Sequence, residues 1–150
     1  MQVEVDQSGK VEATQKPTVL ALANGMRYSI RISARAKRIV LAEMEKRKPR
    51  LSRAQHRLRL FSVLVFLLLK DHFERMDQVI IDVEYTKHER SIKEWVMVLC
   101  KRHRITVYRD MITFRRVTRK SPAHDLAIKV YRGEVRPSRE IEAEEVLALI

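Results

Sequence analysis

Cysteine is almost missing from the chain: Cys100 is the only one in 150 residues, alongside three glycines, four prolines and one tryptophan. A lone thiol excludes an internal disulfide framework and suits a reducing compartment, and as a small apolar side chain it reads as core. So few glycines and prolines exclude long disordered or low-complexity tracts. Aromatic residues, at 6%, are too sparse and too far from the bases to form a stacking platform for single strands. The opening "MQVEVDQSGK" is polar and alternating, so no secretory signal is read there and the cytoplasm is the expected location. The most apolar run, "LFSVLVFLLL" at 60–69, is about half as long as a membrane span and is flanked by charges, so it reads as a buried helix and no membrane partner is expected.

Positive charge, by contrast, is abundant. Thirty-one Lys and Arg against nineteen Asp and Glu leave a formal charge of +12, which makes nucleic acid, DNA or RNA, the default partner. The bases are clustered: residues 27–59 hold twelve against two acids, and 87–136 hold fourteen against five. Lys87, Arg115, Arg116, Arg119 and Lys120 flank the acidic motifs described below and are the candidate nucleic-acid contacts. For any one of them a solvated surface position is the competing explanation.

Alternation at residues 2–6 predicts a strand ending in Asp6, with a turn at "SGK". "TVLALANGMRYSIRIS" predicts two more strands around Asn24-Gly25, a pair suited to the positive φ angles of a hairpin turn. Helical spacing follows from Ala34 to Arg47, ended by Pro49, and a second helix is expected from the N-cap Ser52 to about Arg75. "QVIIDVEY" at 78–85 is a β-branched run with both faces apolar, as a covered parallel strand requires. A helix over 89–103, one or two strands in "ITVYRDMITFRRVT", and a helix capped by Ser121 with Pro122 at its first position complete the body. The tail from 137 to 150 reads as a short acidic amphipathic helix and is a candidate surface for a homodimer. The order implies an α/β protein: a mixed sheet of three antiparallel N-terminal strands and later parallel strands, with helices on both faces.

Strand period two places Asp82 and Glu84 on one face of "VIIDVEY", and if that strand lies parallel to the first, Asp6 ends beside them. Carboxylates gathered at strand ends suit a hard divalent cation, Mg²⁺ or Mn²⁺. "KSPAHDLA" adds His124 and Asp125 in the first turn of a helix whose free amides favour anions. Structural uses compete with each of these: an Asx turn for Asp6, salt bridges for Asp82 and Glu84, helix capping for His124 and Asp125. Zinc has no support, since His88-Glu89 lacks a second histidine at helical spacing and Cys100 with His103 lacks two further ligands.

With "VEVDQSGKVE", "VIIDVEY" and "SPAHDLA" in this order, the chain resembles the ribonuclease H-like superfamily of ribonucleases H, Holliday-junction resolvases and integrase cores. The resemblance implies a ribonuclease H-like domain over 1–136, with a first acid at Asp6, a second at the close of the fourth strand, Asp82 or Glu84, and a last at Asp125. His124 would be an alternative ligand or proton-transfer group. The resemblance further implies metal-dependent hydrolysis of phosphodiester bonds. Gln7 stands where many ribonucleases H have glycine, and the first long helix offers only Glu43 and Glu45 as acids. Resolvase-like members place their second acid at the end of the fourth strand, which favours Glu84. A basic binding or assembly module, its carboxylates paired with bases, is the alternative function.

Overall fold

The N-terminal half of the sheet is a meander. In the computed structural model, which describes residues 1–150, β1 (Gln2–Ser8), β2 (Thr18–Ala23) and β3 (Tyr28–Ile32) pair antiparallel in sequence. Asn24 and Gly25 turn the β2–β3 connection at φ 79° and 109°, as the sequence predicts. Gly9 closes the other turn at φ 82°; a Cβ there would lie 2.2 Å from the Pro17 carbonyl oxygen, so only glycine lets the chain leave β1 in this direction.

Two helices follow, α1 (Ala34–Arg47) and α2 (Arg53–Leu69), and Ser52 caps α2 by accepting from the Gln55 amide at 3.1 Å. The expected extension to Arg75 does not form. The helix stops where the apolar run stops, and a separate 3-10 turn over Phe73–Arg75 leads into β4 (Gln78–Ile81). β4 pairs parallel with β1, placing Val79 beside Val3 and Ile81 beside Val5. Helix α3 (Glu89–Arg102) precedes β5 (Ile112–Phe114), the one strand formed within 105–118, which pairs parallel with β4.

After α4 (Pro122–Tyr131) the chain forms a strand where the sequence pattern predicts only helix. β6 (Arg139–Ile141) runs parallel to β3 and precedes the short α5 (Ala143–Leu147). The tail is therefore not helical throughout, and Ile141, Ala143 and Val146 are buried in the main core. The finished sheet has six strands in the order β5-β4-β1-β2-β3-β6.

Helices cover both faces. Every residue of β2 is buried: Val19 and Ala21 pack on Leu126, Ala127 and Val130 of α4, while Leu20 and Leu22 face the larger core. That core is built around α2, whose residues from Leu60 to Leu69 are all buried, as its uninterrupted apolarity requires. The register has a consequence for chemistry. Val3 and Val5 enter the α2 core, so Glu4 and Asp6, one residue out of phase, point toward α4.

Candidate metal centre

Asp6 lies in the second half of β1, opposite Ala21 and 4% exposed. One of its carboxylate oxygens accepts from the Gln7 amide at 2.8 Å, and the other lies 2.7 Å from His124 Nδ1. His124 reaches it because α4 starts beside β1. Ser121 caps the helix by accepting from the Ala123 amide at 3.1 Å, while its own hydroxyl donates to Glu4 at 2.9 Å. The N-cap and Pro122 at the first helical position are the ones the sequence predicts.

Asp82 and Glu84 arrive from β4. The ladder to β1 continues one step past Ile81, the Asp82 amide donating to the Val5 carbonyl at 3.0 Å, and then ends. The Asp82 side chain takes over, accepting from the Val117 amide at 2.6 Å. The strand expected over 78–85 is thus only four residues long, yet its acids still meet Asp6. Ligand oxygens of Asp6, Asp82 and Glu84 all lie within 4.8 Å of one another.

None of these acids forms an ion pair with Lys or Arg, and His124 is the one titratable base in hydrogen-bond contact with them; Lys10 acts on Glu84 only through its charge. Burial and then the Asp82 and Asp6 charges push Glu84 up to about 7. Burial also raises Asp6, against the Gln7 amide and His124. A site that holds carboxylates at a distance where they resist ionising is one a cation would relieve.

The acids sit in a cleft of ≈ 540 Å³ whose rim includes Arg116 and Arg119, both exposed. Lys87, Arg115 and Lys120 are exposed but do not line it. Asp125 is corrected from a cluster member to a surface residue: its side chain is 54% exposed and pairs with Lys129 at 3.0 Å. Glu43 and Glu45 are likewise engaged elsewhere, with Arg47 and Arg53.

Some participants left little trace in the sequence. Gln7 donates to the Gly9 carbonyl at 3.1 Å and to Tyr85 at 3.5 Å, while its Oε1 is buried at the cleft without a partner. Its neighbour Asp6 was the only hint. Lys37 is completely buried, its ammonium donating to the carbonyls of Lys10 and Ala13 and to Thr18 Oγ1 at 3.2, 2.8 and 3.0 Å, so it fixes the loop after β1. In sequence it is one base among twelve. The Val117 amide is backbone and carries no signal at all.

Comparison of the chain with family models, curated proteins and solved structures found no match in any of the three.

Proposed function

We propose that the protein is a metal-dependent nuclease of ribonuclease H-like type, hydrolysing phosphodiester bonds in DNA or RNA. The observation that carries this is the cluster of three carboxylates within 4.8 Å, in no ion pair with Lys or Arg, in a cleft rimmed by Arg116 and Arg119. An antiparallel meander, a fourth strand parallel to the first, and a late helix facing the first acid support the resemblance drawn from the three sequence motifs.

An all-oxygen donor set fits Mg²⁺ or Mn²⁺ better than softer metals. Asp6, Asp82 and Glu84 would hold the ion, which when bound supplies water activation and neutralises charge on the phosphate. The protein's own groups do the rest. The Val117 amide anchors Asp82, and the Gln7 amide and His124 anchor Asp6, so two of the three carboxylates are held before anything binds. Arg116 and Arg119 draw the phosphate backbone toward a cleft that is otherwise acidic. Hydrolysis consumes one water and breaks one P–O ester bond. His124 makes no hydrogen bond through Nε2 and is the imidazole the cleft offers for carrying the released proton.

A cleavage assay on duplex, hybrid and branched substrates with Mg²⁺ or Mn²⁺ tests this. Glu84→Gln should lower the rate by more than about a hundredfold, beyond what loss of a merely supporting residue costs. If wild-type protein binds these substrates but cleaves none of them with either metal, the protein is a basic binding module.

A further inference from the structure

Two arginines share one indole ring where α2 meets α3. The guanidinium carbon of Arg59 (α2) lies 4.2 Å from the ring centroid of Trp95 (α3), and that of Arg102 lies 5.2 Å away. A single arginine laid over an indole is ordinary packing. Two repel each other, and the pKa of Arg59 is lowered by burial first and by the Arg102 charge second. Neither is in an ion pair with a carboxylate.

Arg59 and Trp95 line a groove of ≈ 640 Å³ between the first turns of α2 and α3, together with Ser52, Gln55 and Ser91. Its one carboxylate, Glu94, is engaged by Arg90 at 3.1 Å. Arg59 is the one Lys or Arg in a lining that, Glu94 and His88 apart, is apolar, serine and amide, and Arg102 stands outside it, so the positive charge comes from the two guanidinium groups stacked on Trp95, groups suited to phosphate oxygens.

Groove and cleft are neighbours along the chain. Glu84 lines the cleft and His88 lines the groove. Between them, Tyr85 packs on Phe61 with ring centroids 4.8 Å apart, and Lys87 is exposed at φ 72°. Four residues span at most ~14 Å, about four nucleotide steps along a duplex strand.

We propose that the cluster of Arg59, Trp95 and Arg102, which borders this groove, is a second nucleic-acid contact. Arg59 and Arg102 take backbone phosphates of the strand whose scissile phosphate occupies the acidic cleft, and Lys87 lies between the two points. The proposal rests on the nucleic-acid part of the function proposed above, not on catalysis.

Fluorescence anisotropy in EDTA, with a fluorescein-labelled duplex of roughly 24 base pairs over a salt series, tests it on the full chain. A long duplex of that size covers the cleft and the groove together, since about four steps separate them. Arg102→Gln should weaken binding of the long duplex roughly threefold to tenfold and flatten its salt slope by about 0.9, one phosphate contact. Arg59→Gln with Arg102→Gln should about double that flattening. Arg132→Gln, a charge loss elsewhere on the surface, should leave the affinity and salt slope on that duplex as in wild type.

The proposal is overturned if the double variant, with a wild-type unfolding midpoint, keeps the wild-type affinity and slope on the long duplex. It is equally overturned if a polyglutamate peptide binds more tightly than the duplex. Should the double variant unfold, the exposed Arg102→Gln decides by the same criteria. Arginine-dependent binding without metal-dependent cleavage would leave the groove standing and remove only the nuclease reading.

Discussion

Glu84 is the residue on which pH should act most plainly. Its carboxyl is raised to about 7 from an ordinary 4.5. A metal must displace that proton, so Mn²⁺ affinity measured by calorimetry should climb about tenfold per pH unit below 7 and level off above it. Metal-free stability should move the other way. Between pH 4.5 and 7 the folded chain holds a proton that the unfolded chain has released, so stability falls as pH rises through that window. Thermal unfolding in EDTA should therefore give a higher midpoint at pH 5 than at pH 8, Mg²⁺ should restore the loss at pH 8, and Glu84→Gln should flatten the dependence. A midpoint in EDTA that rises from pH 5 to 8 would contradict the clustering of these acids. The pairing of Asp82 with Glu84 was legible because strand geometry repeats every two residues. The choice between His124 and Asp125 was not. Neighbours on a helix point about 100° apart, so only one can face β1, and the sequence does not say how α4 is rotated. In the structure Ala123, Leu126, Ala127 and Val130 are the buried residues of α4; His124 reaches the sheet, and Asp125 turns outward to Lys129.

Among the elements, α4 carries the heaviest demand, because its start must be fixed on β1 for His124 to meet Asp6. Ser121 does this twice, as the cap of the helix and as donor to Glu4. Ser121→Ala should cost about 1–2 kcal/mol in urea denaturation, and Ser121→Thr should recover most of it. A change below about 0.3 kcal/mol would show that α4 is positioned by its apolar face alone. Helix starts were easy to read here, since Ser52 and Ser121 are both caps that the structure keeps. Short strands were hard. β6 has three residues with only Ile141 buried, and nothing local distinguishes it from the acidic helix that follows. It exists because the edge of β3 has open backbone groups that a parallel segment satisfies. β4 is cut to four residues for a related reason, since the Asp82 side chain accepts an amide where a carbonyl would have continued the ladder.

At the scale of the whole molecule, residues 137–150 are part of the sheet and core rather than an appendage. They supply β6, the buried Ile141, Ala143 and Val146, and a salt bridge between Arg139 and Glu145. Deleting them should lower the urea midpoint markedly and expose β3 as an edge, with aggregation on heating. A truncated chain that unfolds like wild type would instead identify the segment as a detachable tail. No helix of the molecule is long and apolar enough to cross a membrane, and the run at 60–69 is the buried centre of α2. The sequence by itself determined the class of the fold, the antiparallel opening, the two capped helices and the excess of positive charge, because these depend on local periodicity, capping chemistry and composition. Only the tertiary structure decided which acids meet, that His124 joins them in place of Asp125, and that two arginines converge on Trp95. Those outcomes depend on strand order, helix rotation and the point at which one ladder stops, which are set by packing between segments far apart in the chain.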